Sequence, residues 1–97
     1  MSKDPRQEET FRHSPDTAWR RVEDDAVVLD LRSGVYFSLN DTAARMWELL
    51  GEGLDAAEVA EQVSEEYGQE LSEVRADLGG LVRQLRKEGL LLPSSPA

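Results

Sequence analysis

Few residues in this chain are of types that do chemistry. His13 is the only histidine, and there is no cysteine. A Cys nucleophile, a thiolate zinc site and a disulfide are thereby excluded. The stretch around the imidazole, "FRHSPDTA", shows no hydrophobic period, so His13 is expected in a tail with no catalytic role. Carboxylates are plentiful but poorly placed for work in pairs. Asp24-Asp25 and Glu65-Glu66 are neighbours in sequence, and neighbouring helical residues do not face each other. They read as solvated surface, not as an acid/base dyad. No phosphate-cradling loop, dinucleotide glycine pattern, metal-ligand cluster or nucleophile elbow occurs. The residues point to no catalytic group, no metal site, no cofactor and no enzyme.

The bulk properties narrow the classes further. The chain has 97 residues, 39% of them hydrophobic, enough for one domain with a small core. Its formal charge is −9, from 11 Lys and Arg against 20 Asp and Glu. Such a balance opposes binding to a phosphate backbone, which relies on clustered cations. No apolar run approaches bilayer length and no signal-peptide pattern is present, so the expected compartment is the cytoplasm, with no membrane partner. The charge is uneven. From Trp19 to Leu71 acids dominate, whereas between Ser72 and Glu88 the acids Glu73, Asp77 and Glu88 face Arg75, Arg83, Arg86 and Lys87.

The elements that would position a site follow from periodicity and punctuation. Residues 1–18 are polar and aperiodic and read as a disordered tail; 93–97 read as another. Between them, 19–92 form one domain. Trp19–Glu23 is a short strand, and Val27, Leu29 and Leu31 mark the buried face of a second. Arg32-Ser33-Gly34 closes a hairpin, with Gly34 free to take positive φ. Val35, Phe37 and Leu39 form one face of a third strand, with Tyr36 and Ser38 on the other. Three helices follow. Asn40 caps the first, whose stripe is Ala43, Met46, Trp47 and Leu50, with Gly51 as its stop. Asp55 and Glu58 form a capping box for the second, with Ala56, Val59, Ala60, Val63 and Tyr67 inside and Gly68 at its end. Ser72 caps the third, whose buried face is Val74, Leu78, Leu81 and Leu85. Leu90–Leu92 returns onto the core. The order is that of an α+β, winged-helix-like domain: an N-terminal three-stranded antiparallel sheet, then three helices.

Two features remain unabsorbed. Val35–Leu39 carries most of the strand-forming signal of the chain. Beside the buried stripe of the third helix runs a second one, Arg75, Gly79, Val82 and Arg86. Gly79 and Gly80 stand mid-helix, where each costs about 1 kcal/mol relative to Ala. They fit either close packing inside the fold or the floor of a shallow groove. DNA recognition by the third helix is disfavoured, because Glu70, Glu73 and Asp77 cluster at its start, where base-contacting residues would lie.

The sequence "VVLDLRSGVYFSLNDTAARMWELLGEG", followed by "EQVSEEYG" and "LVRQLRKEGLL", resembles the PqqD family of leader-peptide-recognition domains. Leu39-Asn40-Asp41-Thr42-Ala43, Tyr67-Gly68 and Gly89-Leu90-Leu91 carry the likeness. The Tyr36-Phe37 pair and Trp47 are similar to the stand-alone recognition proteins of lasso-peptide pathways. The resemblance implies a degenerate winged helix that performs no chemistry. It implies that a precursor's leader adds as a strand to the third strand, in the groove against the third helix. The leader then passes to a transglutaminase-like cysteine protease and an asparagine-synthetase-like cyclase. On this reading Val35, Tyr36, Phe37, Ser38 and Leu39 offer the edge. Leu78, Gly79 and Val82 are the opposite wall, and Arg75, Arg83 and Arg86 meet leader carboxylates. Gly79-Gly80 departs from the bulkier family pattern at that point. Two alternatives stand beside it. One is the same fold serving a radical enzyme, as in pyrroloquinoline quinone synthesis; the other, from a different class, is an acidic winged-helix regulator.

Overall fold

The computed structural model describes residues 9–94; of the two expected tails, 1–8 and 95–97 lie outside the described residues. The chain runs β1 (Phe11–His13), β2 (Thr17–Val22), β3 (Asp25–Asp30), β4 (Tyr36–Leu39), three helices, then β5 (Leu91–Pro93). The helices are α1 (Asp41–Gly51), α2 (Ala56–Tyr67) and α3 (Leu71–Lys87). β2, β3 and β4 form an antiparallel sheet in that order. The fold is the expected α+β one: three antiparallel strands followed by three helices.

The local signals explain most of these elements. Asn40 caps α1 by accepting from the Ala43 amide. Asp55 and Glu58 make a reciprocal capping box on α2, and Gly68 ends it in the left-handed conformation at φ 63°. The apolar stripes of the helices close on one another. Trp47, Leu50, Val59, Val63 and Val74 are fully buried, and Leu78 and Leu85 nearly so. At about 25 cal/mol per Å² of apolar surface, this cluster is the main stabilising term.

Three expectations are corrected. First, the segment taken as a tail is ordered from Glu9 onward. Phe11 is 3% exposed, and β1 pairs antiparallel with β5, Phe11 opposite Pro93 and His13 opposite Leu91. Leu90–Leu92 does return to the core as expected, but its strand partner comes from the other end of the chain. Second, the buried face of β3 is Ala26, Val28 and Asp30; Val27 and Leu29 are half-buried and Leu31 is 56% exposed. The helices cover the Val28 side. Asp30 is tolerated there because its carboxylate accepts from the Arg32 amide and from Ser33 Oγ. Third, α3 starts at Leu71, and no side chain caps it; Ser72 already lies inside its first turn.

Candidate functional site

β4, like β2, is an edge strand of its sheet among the described residues, and it is the edge that lies beside α3. The turn before it sets which backbone groups point outward. Gly34 takes φ +76°, donating to the Asp30 carbonyl at 2.7 Å, while the Asp30 amide donates to the Val35 carbonyl at 2.9 Å. Two residues thus oppose one, the geometry of a glycine bulge. Hydrogen-bonded pairs alternate along an antiparallel ladder. With Val28 opposite Phe37 and Ala26 opposite Leu39, Phe37 and Leu39 direct their backbone groups to β3. Tyr36 and Ser38 direct theirs to the open edge.

A groove of about 270 Å³ runs along that edge. Its floor is Tyr36, Phe37, Ser38 and Leu39, and its far wall is Leu81, Gln84, Leu85 and Glu88 of α3. Leu39 and Leu85 are buried, Phe37 and Leu81 half-buried, and Tyr36 is 68% exposed. The site therefore offers two outward backbone positions, an apolar trough and one carboxylate at its end. Val35 flanks the groove and is 50% exposed.

The remaining sequence-predicted residues lie elsewhere. Arg75, Leu78, Gly79, Val82, Arg83 and Arg86 line a second cleft, with Glu9 and Phe11 from the β1 side and Ala56 and Ala57 of α2. Its volume is about 390 Å³. The two clefts lie on different flanks of α3 and share no lining residue. The expectation that the arginine stripe forms the wall facing the edge strand is thus corrected. A stripe at i, i+4, i+7 fixes a face of the helix but not the flank on which the sheet lies. Leu81, Gln84, Leu85 and Glu88 were missed as wall residues for the same reason. Leu81 and Leu85 show in sequence only as core.

Titratable side chains of β2, α1 and α2 form an ion-pair network, none of whose members lines either cleft. Arg21 Nε donates to Glu48 Oε2 at 2.9 Å and Arg21 Nη1 to Asp41 Oδ1 at 3.3 Å. Arg45 bridges Glu48 and Glu66, and the Tyr67 hydroxyl donates to Asp41 at 2.7 Å. The Arg21 guanidinium holds the Glu48 carboxyl below the usual range; the Tyr67 hydroxyl does so for Asp41, and Arg45 for Glu66. These carboxylates are held ionised and paired, tying β2 to α1 and α1 to α2, and none is poised as a base. His13 Nε2 donates to the Trp47 carbonyl at 2.8 Å, and burial pulls its pKa below 6.5. Burial thus favours the neutral imidazole, whose hydrogen-bond partner is the Trp47 carbonyl. Among those residues no cluster of His, Asp and Glu is arranged to hold a metal ion, and no helix is long and apolar enough to cross a membrane.

Residues 25–91 match the family model described as coenzyme PQQ synthesis protein D (PqqD). No curated protein matches the chain. Two solved structures are similar to it. One is TbiB1 in complex with the TbiA(beta) leader peptide: TM-score 0.74, 29% identity, covering 89% of this chain and 98% of that one. The other is lasso peptide synthetase B1 complexed with the leader peptide: TM-score 0.76, 37% identity, covering 86% of this chain and 98% of that one. A family match over most of the chain, on a fold of the same architecture, makes this protein a member of the PqqD family.

Proposed function

We propose that the protein is a non-catalytic recognition element that binds the leader of a ribosomally made precursor peptide as an added strand on β4. The outward-facing backbone of Tyr36 and Ser38 beside an apolar trough is the observation that carries this reading. An extended peptide would satisfy those backbone groups, and its alternate side chains would enter the trough between Phe37, Leu39, Leu81 and Leu85. The likeness to two leader-bound B1 proteins supports the same occupant. An open apolar edge is otherwise an aggregation hazard, and the −9 charge of the chain counters it.

In this reading the protein works in the cytoplasm and performs no chemistry itself. It presents the bound leader to a cysteine protease that removes it and to an ATP-using cyclase that closes a lasso ring. The alternative is service to a radical enzyme in a pathway like the coenzyme PQQ synthesis that the family description names; co-purification with a protease or with an iron–sulfur enzyme separates the two.

The test is amide exchange with the synthetic TbiA(beta) leader peptide as the probe. Exchange at Tyr36 and Ser38 should slow on binding, while Phe37 and Leu39, already paired to β3, change less. Protection confined to α2 would sink the proposal.

A further inference from the structure

We propose that the arginine-rimmed cleft on the other flank of α3 is a second docking surface, for an acidic segment of a protein partner bearing a bulky apolar residue between its carboxylates. This goes beyond leader binding at β4, from which the cleft is separated by the body of the helix.

Charge is the first observation. The chain carries −9 overall, yet Arg75, Arg83 and Arg86 converge on this one cleft. Arg86 sits 3.8 Å from Glu9 and 5.8 Å from the centre of the Phe11 ring. Among the described residues Arg75 and Arg83 have no carboxylate partner. Among the described residues the one carboxylate lining the cleft is Glu9, the chain's own, at the long end of ion-pair distance. Guanidiniums of this kind take carboxylates as charge-assisted, two-pronged partners.

The floor is the second. Phe11, Leu78 and Val82 make it apolar, which suits a large side chain and does not suit a bare phosphate. At about 390 Å³ the cleft is at the small end of the ~300–1,000 Å³ range of ligand clefts. Gly79 is the third. A methyl group there would meet only the Arg83 Nη1 atom, at 3.6 Å, so internal packing does not require the glycine. Its helix cost of about 1 kcal/mol is explained by an incoming chain that lies against the bare backbone.

A second copy of this protein is the competing occupant. The acidic face complementary to the cleft lies on α2, at Glu58, Glu61 and Glu65. A copy-on-copy contact would join two different surfaces, and closes into a finite assembly only if the rotation between copies allows it; a separate partner carries no such constraint and fits better.

The test titrates isotope-labelled protein with an acetylated octapeptide, Glu-Asp-Glu-Leu-Phe-Glu-Asp-Glu, at low salt. Amide signals of Ala57, Gly79, Gly80 and Val82 should move, and those of Tyr36–Leu39 should not. A lysine-for-acid version of the peptide should not bind. Arg75→Glu with Arg83→Glu should weaken binding by about tenfold or more, circular dichroism being unchanged. Glu9→Gln, which removes the competing carboxylate, should tighten it. Gly79→Leu, which fills the floor while remaining helical, should block binding even if the double variant does not fold. No binding, unchanged binding in the folded variants, or shifts confined to Tyr36–Leu39 would overturn the proposal. So would salt-sensitive self-association that Arg75→Glu abolishes, since this assigns the cleft to a second copy.

Discussion

The His13 imidazole lies flat on the Trp47 indole, ring centroids 3.6 Å apart and planes 5° apart. Trp19 meets both rings edge-on, at 5.9 and 6.3 Å. Gly51 makes this stack possible, because a Cβ there would overlap the imidazole. Burial favours neutral His13 in the folded state, so its folded pKa lies below 6.5. The stabilisation is complete above that value and shrinks as pH falls toward the folded pKa, where the unfolded chain binds the extra proton. Melting temperature should therefore drop between about pH 7 and pH 5. His13→Phe, which keeps a ring on Trp47, should flatten that slope. An unchanged slope would show that the imidazole does not titrate with folding.

Phe11 anchors β1. Phe11→Ala should destabilise the domain by about 3–5 kcal/mol, the usual cost of emptying a buried aromatic site, read as a lower urea midpoint. A chain beginning at Thr17, which lacks β1 altogether, should lose at least as much and leave Leu90 and Leu91 poorly covered. A midpoint equal to that of the full chain would mean that β1 adds nothing.

Ser38 tests strand addition without emptying a pocket. Its N–H points away from β3, so Ser38→Pro should leave the sheet intact, as proline is tolerated on an edge. It removes one donor from the incoming ladder, and leader affinity should fall by about 1–3 kcal/mol. Phe37→Pro deletes a bond within the sheet and should unfold the strand. Calorimetric titration of both variants, with thermal melts, distinguishes the two effects.

Leu81 and Val82 are neighbours that report on different clefts. Leu81→Glu places a carboxylate in the β4 groove and should weaken leader binding by about 1–3 kcal/mol. Val82→Glu, on the far flank, should leave it intact. The reverse ranking in a fluorescence titration would move the leader to the arginine side of the helix.

The sequence carried the helices and the hairpin because their determinants are local. Asn40, the Asp55 and Glu58 pair, Gly68 and Gly34 each act within a few residues. What it concealed is non-local. "FRH" is too short to show a period, and its strand partner lies at the opposite terminus, so β1 and the His13–Trp47 stack gave no signal. The β3 phase was misread because Val27, Val28 and Leu29 are all apolar, and the buried member that breaks the tie is Asp30, a carboxylate satisfied by its own turn. The edge strand was legible as a strand, and its alternation holds at Leu39, which is buried, and Tyr36, which is exposed, whereas Val35, expected on the Leu39 face, precedes β4 and is 50% exposed. The strand's opposite wall was not legible, because two flanks of one helix are distinguished only by where the sheet docks.

The pairing of β1 with β5 brings the two ends of the domain together: the Ser94 amide donates to the Thr10 carbonyl at 3.0 Å. A chain that leaves the fold beside the point where it came in can be spliced into a surface loop of a larger host without prising the host apart. The strand pair then acts as a clasp, holding the graft closed whatever is attached outside it. Such a graft should keep its open β4 edge, so that recognition is portable as a cassette.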